Sequence, residues 1–427
     1  MWGQREGPRV SVPRYDWLSC KNRLHDFPEN VNQNFCRKRA DSMLIVNGVV
    51  HPMDGPVISR GFVRLEGKKI AQVGAMEELT AREGEAVLDA QGGHIVPGFV
   101  DAHCHLGLFG DGLGFEADDG NESTDPCTPQ LRAIDGVNVL DRCFQEAREG
   151  GVTTVLTGPG SANPIAGQFA ALKTDGRWVD EAIVKAPAAM KFALGENPKT
   201  VYNERKETPV TRMATAALIR EQLAKAVEYR DKQEKADADP ETDPPELDVK
   251  LEALTAVTAG ALPAHFHAHR ADDIATAVRI GREFGLNYVI VHGTEGYRVA
   301  ELLAEAGVGV ITGPCLGDRS KPELVNMTME NPVLLARAGV KVAICTDHPE
   351  TPIQHLPLCA AMAVRAGMDP EEALAAITRN AAEIAGIGKR VGTLTPGKDG
   401  DVVVLSGPPL DWQSGVTAVF LNGKRVR

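Results

Sequence analysis

Alternating histidines occur in two short segments of the 427-residue chain. The segment "DAHCHLG" contains His103 and His105, and "PAHFHAHRADD" contains His265, His267 and His269. In a β-strand, alternate side chains leave the same face, so both imidazoles of a His-x-His pair can chelate one metal ion. A His-x-His pair alone is a weak indication of a metal site. The first pair is a stronger one, because an apolar run precedes it and a glycine that lets the loop turn away follows it.

Two further polar side chains each close an apolar run. His292 ends "NYVIVHG", and Asp347 ends "VKVAICTD". A carboxylate at the end of a buried strand costs several kcal/mol unless a cation or a metal ion neutralises it. Coordination of a metal would remove that cost, so we predict that Asp347 is a ligand. A single histidine after an apolar strand is more often structural, so the spacing alone does not assign His292.

The segments that carry these residues belong to a repeating pattern of strands and helices. Short apolar runs alternate with amphipathic stretches such as "DDIATAVRIGREFG" over residues 98–392, which predicts a buried parallel sheet. If "GFVDAHCH" is the first strand and one less obvious second strand is allowed, about eight strands fit a (β/α)8 barrel. An open, doubly wound sheet is the alternative. We favour the barrel, because its strand ends all meet at one mouth and would bring the polar residues together.

The sequence pattern of both chain ends differs from that of the middle. Residues 43–97 and 393–427 contain short alternating strands separated by turns, and we predict that they form one composite β-sandwich. Residues 1–42 lack helical or strand periodicity and are predicted to be a poorly ordered tail. A charged insertion within the barrel, at about residues 196–260, is predicted to be a solvated helix and an acidic loop.

Composition restricts the classes of function. Hydrophobic residues make up 43% of the chain and charged residues 24%, as in a folded enzyme. The formal net charge of −12 disfavours a nucleic-acid partner. The sequence contains no apolar run of about 18 residues, the length that would predict a membrane span. The eight scattered cysteines indicate reduced thiols in a cytoplasmic protein. We expect a small-molecule substrate, and a homo-oligomer is possible.

The chain resembles the amidohydrolase superfamily, and the resemblance extends from Met43 to Arg427. The matching segments are "VPGFVDAHCHLG", "GVTTVLTGPG", "VIVHGTE", "ICTDHP", "EEALAAITRNAAEIAGI" and "GTLTPGKDGDVVVL". The imidazolonepropionase-like and prolidase-like branch is the most similar, because "HAH" is followed by "VIVHG" and later by "TLTPGKDGDVVVL". The resemblance implies a metal-bearing barrel with a composite β-sandwich formed by both chain ends.

The resemblance also bears on the histidines. From the residues alone, only the histidines near the C-terminal end of the second segment can reach a barrel mouth, which leaves His267 or His269. The family pattern implies that His267 is the metal ligand and that His269 lies one step outward, toward the substrate. His265 is then a supporting or packed core histidine. The same family supplies a ligand at the strand end that His292 occupies.

Lys191, in "AAMKFALGENPK", is a candidate bridge between two metal ions. The other ligands suffice for one divalent ion, and adding His292 suggests a second. A lysine whose pKa is lowered can capture carbon dioxide as an anionic carbamate, and related enzymes do this at the fourth strand, where Lys191 is predicted to lie. The alternatives are that Lys191 is an ordinary ion-pairing lysine, or that Glu196 fills the bridge instead. Zinc is the expected metal, and manganese, iron or cobalt would also suit these ligands. The predicted metal ligands are His103, His105, Lys191, His267, His292 and Asp347.

The mechanism that the resemblance implies is metal-assisted hydrolysis of an amide, cyclic amide or peptide-like C–N bond. A bound ion would lower the pKa of water to about 7 and polarise the scissile carbonyl. Asp347 would take the proton of this water and pass it to the leaving nitrogen. An imidazole, His292 or His269, would assist in holding the tetrahedral intermediate.

Two departures from family patterns bear on the substrate. Deaminases of the superfamily typically carry a glutamate three residues after the fifth-strand histidine, where this chain has Arg270, so deamination is disfavoured. The loops "TGPGSANPIAGQ" and "ALGENPKTVY" differ from the glycine-rich loop of prolidase-like members, which puts dipeptide hydrolysis in doubt. Asn163, Tyr202 and Arg270 are candidates for recognising a carboxylate or amide. A deaminase of a small heterocycle and a non-catalytic scaffold remain the alternative functions, although a scaffold need not retain the ligand set.

Overall fold

Two β-sheets form the framework, one built from the chain ends and one from the middle of the chain. The computed structural model describes residues 42–110 and 114–427. The prediction for the tail, residues 1–42, therefore lies outside the described residues, except for Ser42, which begins the first strand.

Sixteen strands occur within the described residues. In chain order they are β1 (Ser42–Val50), β2 (Ile58–Glu66), β3 (Lys69–Ala75), β4 (Ala86–Asp89), β5 (His94–Pro97), β6 (Phe99–Cys104), β7 (Val152–Thr157), β8 (Ile165–Lys173), β9 (Ile183–Ala193), β10 (Ala264–Ala268), β11 (Tyr288–His292), β12 (Val310–Thr312), β13 (Val342–Ile344), β14 (Val402–Leu405), β15 (Val416–Leu421) and β16 (Lys424–Arg425).

The α-helices of the same residues lie in the middle of the chain. They are α1 (Arg142–Glu149), α2 (Val179–Ala182), α3 (Glu196–Arg205), α4 (Arg212–Ala238), α5 (Val249–Thr258), α6 (Ala271–Glu283), α7 (Ala300–Glu305), α8 (Asn331–Arg337), α9 (Leu356–Arg365), α10 (Pro370–Ala376) and α11 (Arg379–Ile384). Within the described ranges, no helix is both long enough and apolar enough to cross a membrane.

The middle of the chain curls into a nearly closed barrel, which confirms the predicted TIM-like fold. Strands β6 to β13 lie side by side in chain order. The first and last strands meet where His105 N donates to His348 O at 2.8 Å and Thr346 N donates to Asp101 Oδ2 at 3.1 Å. Strands such as β7 and β10 are buried along their whole length, as expected for barrel strands covered on both faces.

The third barrel strand departs from the repeating pattern. Strand β8 runs antiparallel to both β7 and β9, whereas the other neighbouring pairs of barrel strands are parallel. A parallel return needs a crossover of a dozen or more residues, and residues 158–164 between β7 and β8 are too few for one. The less obvious strand is thus the third strand, not the second as we predicted, and β7 is the second.

The chain ends pair within one eight-stranded sheet, in the order β16-β15-β14-β5-β1-β2-β3, with β4 paired to β1. Strand β14 aligns antiparallel with β5, so that Val402 faces Pro97 and Leu405 faces His94. This pairing confirms that both ends build one additional sheet domain. Division of the chain into a composite domain of residues 43–97 plus 393–427 and a barrel domain of residues 98–392 stays a prediction.

The charged insertion consists of three helices, α3 to α5. The Thr211 side chain accepts the N–H of Ala214 at the start of α4, and Asp248 accepts the N–H groups of Lys250 and Leu251 at the start of α5. Such caps satisfy backbone donors that have no partner within the helix. Helix α4 buries an apolar stripe against the barrel side and exposes most of its lysines and glutamates.

A buried ion pair joins the barrel to the end sheet. Lys173, the last residue of β8, reaches the base of the barrel because this strand is antiparallel. Its Nζ bonds to Asp401 Oδ2 and lies 3.1 Å from Asp399 Oδ2. Side chains of all three residues are at most 3% exposed. Asp399 is also paired with Lys69 and Arg390, whereas Lys173 is the cation that pairs with Asp401.

We predict that Lys173→Met lowers the free energy of unfolding by about 3–5 kcal/mol, because the substitution leaves the buried Asp401 carboxylate without a cation. The matched control is Lys69→Met, since Lys69 binds Asp399 at 2.8 Å with a side chain that is 52% exposed. Asp399 keeps Lys173 and Arg390 as partners, so loss of the exposed Lys69 ammonium should cost less than about 1 kcal/mol. Urea denaturation of both variants measures the difference, and equal effects would contradict the assignment.

Candidate metal centre

The C-terminal ends of five barrel strands place the predicted ligands in one region. His103 lies in β6 and His105 follows it, while Lys191 lies near the end of β9. His267 lies in β10, His292 ends β11, and Asp347 follows β13. Because the strands are parallel, these ends converge at the mouth where barrel active sites are built.

Two of these residues have an unusual backbone conformation. The φ angle is +70° at His292 and +54° at Asp347, in the left-handed region that residues other than glycine seldom adopt. Each of these residues turns the chain sharply at the end of a strand. Strain of this kind is concentrated at functional sites, where the surrounding structure maintains it.

The first group of side chains surrounds the carboxylate of Asp347. Its Oδ1 lies 3.4 Å from His103 Nε2 and 3.3 Å from His105 Nε2. Lys191 Nζ lies 3.2 Å from His103 Nε2. The Nδ1 of His105 is 2.7 Å from Gly158 O, and a carbonyl oxygen can only accept a hydrogen bond. In the neutral ring, Nδ1 must therefore carry the proton, which leaves the Nε2 lone pair free for a metal.

The second group consists of His267, His269 and His292, whose ligand atoms lie within 4.8 Å of one another. The ring centroids are 4.5 to 4.7 Å apart. The Nδ1 of His292 is held by Gly313 O at 2.7 Å, so its Nε2 is free in the neutral ring. Hydroxyl groups hold the other two rings, Ser161 on His267 at 2.8 Å and Thr294 on His269 at 2.7 Å.

Unpartnered polar atoms test whether a metal ion fits these residues. Within the described residues, His267 Nε2 and Asp347 Oδ1 are buried without a hydrogen bond, whereas the buried Glu323 Oε1 is paired with Lys321 Nζ at 3.0 Å. A buried polar atom left unsatisfied costs about 1–3 kcal/mol. Imidazole nitrogens and carboxylate oxygens are ligands of zinc and of other divalent ions, and a cation would satisfy both unpartnered atoms. The residues therefore fit a divalent metal ion.

Burial sets the charge of the candidate ligands. It lowers the pKa of His103, His267 and His269 well below the ordinary range and that of His292 to about 4, so all four rings are neutral at neutral pH. Burial raises the pKa of Asp347, but the histidines around it, His292 first, outweigh this effect and hold the pKa well below the ordinary value. The centre thus offers neutral imidazoles and an ionised carboxylate.

The predicted substrate residues do not all reach this centre. Tyr202 donates its hydroxyl hydrogen to Asn163 Oδ1 at 2.7 Å, and the Asn163 amide nitrogen donates to Glu122 O and Thr128 Oγ1. These side chains bond to each other and to the protein wall. Arg270 is exposed and pairs with Asp272 at 2.8 Å. The structure brings His269 to the second group of histidines, which places this residue closer to the ligands than we predicted.

A glutamate that the sequence motifs did not reveal lies at the centre. The Oε1 of Glu323 is 3.6 Å from His269 Nε2 and 3.9 Å from His267 Nε2. Glu196, the predicted alternative bridge, instead accepts the N–H of Glu323 with its carboxylate at 3.3 Å. The segment "SKPELVN" shows no periodic pattern. The single signal in the sequence was that Lys321 and Glu323 place two opposite charges in the loop after the barrel strand β12.

The imidazole of His265 lies deeper in the barrel, with its ring centroid 6.4 Å from that of Phe169 at a tilt of 38°, and neither ring nitrogen has a hydrogen-bond partner within the described residues. Burial lowers its pKa to about 3, against about 6.5 in an unfolded chain. Between these values the unfolded chain binds one more proton. The contribution of His265 to stability is therefore complete above about pH 6.5 and is lost as the pH falls toward 3.

We predict that His265→Leu makes the metal-free protein less sensitive to acid. Between about pH 6 and 4, the free energy of unfolding should fall less steeply with decreasing pH than in the wild type. The two slopes should differ by about 1.4 kcal/mol per pH unit, because one titrating group is gone. Urea denaturation at several pH values across this range measures the slope. The same slope in both proteins would contradict the prediction.

Comparison with known proteins agrees with this geometry. Residues 94–426 match the model of the Amidohydrolase family. A crystal structure of an amidohydrolase from Thermotoga maritima MSB8 is 44% identical, with a TM-score of 0.87 over 90% of this chain and 99% of that one. Amidohydrolase tasK of Hapsidospora irregularis is 31% identical over 80% of this chain, which spans 37% of the length of tasK.

An imidazolonepropionase of Maricaulis maris (strain MCS10) is 27% identical over 82% of this chain and 87% of its own length. The family model covers most of the barrel strands and the C-terminal strands of the end sheet. The chain therefore belongs to the amidohydrolase family and is a hydrolase that acts on carbon–nitrogen bonds.

Proposed function

We propose that this enzyme uses one or two divalent metal ions to hydrolyse an amide, cyclic amide or peptide-like C–N bond of a small molecule. The observation that carries the proposal is the convergence of neutral histidines on the buried, ionised carboxylate of Asp347 at the barrel mouth. A metal ion at these ligands, zinc or otherwise manganese, iron or cobalt, supplies Lewis acidity toward a water molecule and the scissile carbonyl.

Asp347 is the residue to which we assign proton transfer. Its side chain is 13% exposed and that of His105 is 10% exposed, whereas that of His103 is fully buried, so Asp347 is the carboxylate ligand on the open side of the centre. One carboxylate oxygen faces His103 and His105. The other oxygen can accept a proton from the attacking water and return it to the leaving nitrogen. The Nδ1 proton of His292 is held by Gly313 O, so its Nε2 presents a lone pair, which suits a metal ligand and not the predicted role of holding the tetrahedral intermediate.

Lys191 is suited to carbamate formation. Its side chain is fully buried, and burial lowers the pKa of its amine to about 8, so roughly a tenth of the amine is uncharged at pH 7. The neutral amine attacks carbon dioxide, forms an N–C bond and loses one proton, which leaves an anionic carbamate. The 3.2 Å contact with His103 Nε2 brings this group to the ligands. A shared anion offsets the repulsion between two cations.

The relatives favour a cyclic amide among the three bond classes. Curated relatives named imidazolonepropionase match 82% to 87% of this chain, and an imidazolone is a ring that contains an amide. Deamination is less favoured, because the position that holds a glutamate in deaminases is Arg270, which is exposed and paired with Asp272. A non-catalytic scaffold would not need the unpartnered ligand atoms at the mouth.

An activity screen tests the proposal. The metal-free enzyme, reloaded with zinc or manganese, is assayed against small lactams, N-acyl amino acids and dipeptides, and ammonia release is measured with a panel of bases. We expect metal-dependent hydrolysis of at least one amide class and a loss of about three orders of magnitude in kcat for Asp347→Asn. Hydrolysis that survives complete removal of metal, or ammonia release from bases alone, would overturn the proposal.

We predict that Lys191→Ala lowers the metal content from about two ions to about one and reduces activity by several orders of magnitude, because the bridging anion is lost. Short carboxylic acids should restore part of both. The control is Lys185→Ala, on the same strand but only partly buried. Metal analysis and steady-state kinetics provide the measurements. A Lys191→Ala enzyme with two ions and full turnover would show that the bridge lies elsewhere.

A further inference from the structure

We propose that Glu323 and His269 are ligands of the second metal ion, together with His267 and His292, and that the Lys321 ammonium occupies the same carboxylate oxygen when this ion is absent. This inference rests on the proposed metal-dependent function. It adds two ligands from the loops beyond the barrel strands and a competing cation to the ligand set predicted from the sequence.

The distances suit two ligands of one ion. Glu323 Oε1 is 3.6 Å from His269 Nε2 and 3.9 Å from His267 Nε2, too far for hydrogen bonds. Two ligand atoms about 2.1 Å from a tetrahedral ion lie about 3.4 Å apart, so a small adjustment brings these atoms onto one ion. His267 Nε2 is buried without a hydrogen-bond partner within the described residues, and Glu323 Oε1 is paired there with Lys321 Nζ at 3.0 Å.

The carboxylate of Glu323 is held in position by the loop before α3. Its Oε2 accepts the N–H of Glu196 at 3.0 Å, while the N–H of Glu323 donates to Glu196 Oε2 at 3.3 Å. The Glu323 residue is 1% exposed. One carboxylate oxygen is thus engaged by the backbone, and the other faces the imidazoles. A ligand held in this way needs little rearrangement to bind an ion.

A buried carboxylate also needs a cation, and Lys321 supplies one. Its Nζ lies 3.0 Å from Glu323 Oε1 and also donates a hydrogen bond to Asn197 Oδ1 at 3.0 Å. The Lys321 side chain is 28% exposed, so the ammonium approaches from the solvent side. An ammonium and a divalent cation repel each other and require the same oxygen. Entry of the metal therefore displaces Lys321 toward the mouth.

Metal titration of three variants tests the inference. Metal-free protein is titrated with Mn²⁺ or Zn²⁺ in competition with a chromophoric chelator, and Mn²⁺ EPR reports whether two ions are coupled. In the wild type we expect two classes of site. Glu323→Gln, which keeps the size of the side chain, should weaken the second class by about tenfold to a hundredfold and leave the first unchanged. The control Glu330→Gln alters an exposed glutamate after the same loop and should have no effect.

The variant Lys321→Met tests the competing cation separately. Its removal should strengthen the second class of site, in the opposite direction from Glu323→Gln, and the substituted side chain is itself 28% exposed. Two unchanged classes of site in both variants would overturn the inference and leave the proposed hydrolase intact. A wild-type enzyme that binds no divalent ion would overturn the proposed function itself, and the second site with it.

Discussion

The centre depends on hydrogen bonds that hold four of its imidazoles by Nδ1 and turn Nε2 inward. Backbone carbonyls perform this role for His105 and His292, and hydroxyl groups perform it for His267 and His269. Burial keeps the rings of His267, His269 and His292 neutral, since it disfavours a charged imidazolium. The Nε2 lone pairs are thereby concentrated in one place, where a cation can bind to them. Strand pairing, the loops and the barrel closure all serve to hold these donors in that position.

The antiparallel third strand contributes to the same constraint. Because β7 and β8 form a hairpin, residues 158–164 cross the mouth as a tight turn that presents Gly158 to His105 and Ser161 to His267. The other end of β8 carries Lys173 to the base of the barrel, where it binds Asp401 beside the end sheet. One hairpin thus connects the donors at the mouth with the sheet formed by the chain ends.

Much of the fold and part of the centre could be predicted from the sequence. Apolar runs that end in His103, His267, His292 and Asp347 mark parallel strands whose polar residues must meet at a mouth. The reversal of β8 could not be read from its residues, since an apolar strand has the same composition in either direction. Glu323 was missed because it comes from an aperiodic loop, and its position depends on contacts with Glu196 that are remote in sequence. The substrate role of Arg270 stays a prediction, and the structure shows its guanidinium paired with Asp272 at the surface.

Closure of the barrel has a consequence for the order of events in biosynthesis. The proposed ligands extend from His103 in the first barrel strand to Asp347 after the last, and Asp347 N donates to His103 O at 3.3 Å only where these strands meet. A nascent chain that lacks the last strand cannot bring both residues to one ion. Such long-range contacts form late in folding. A metal ion at the proposed ligands would then bind only after nearly the whole chain is synthesised. Its binding free energy would slow unfolding of the closed barrel and would not guide the early steps of folding.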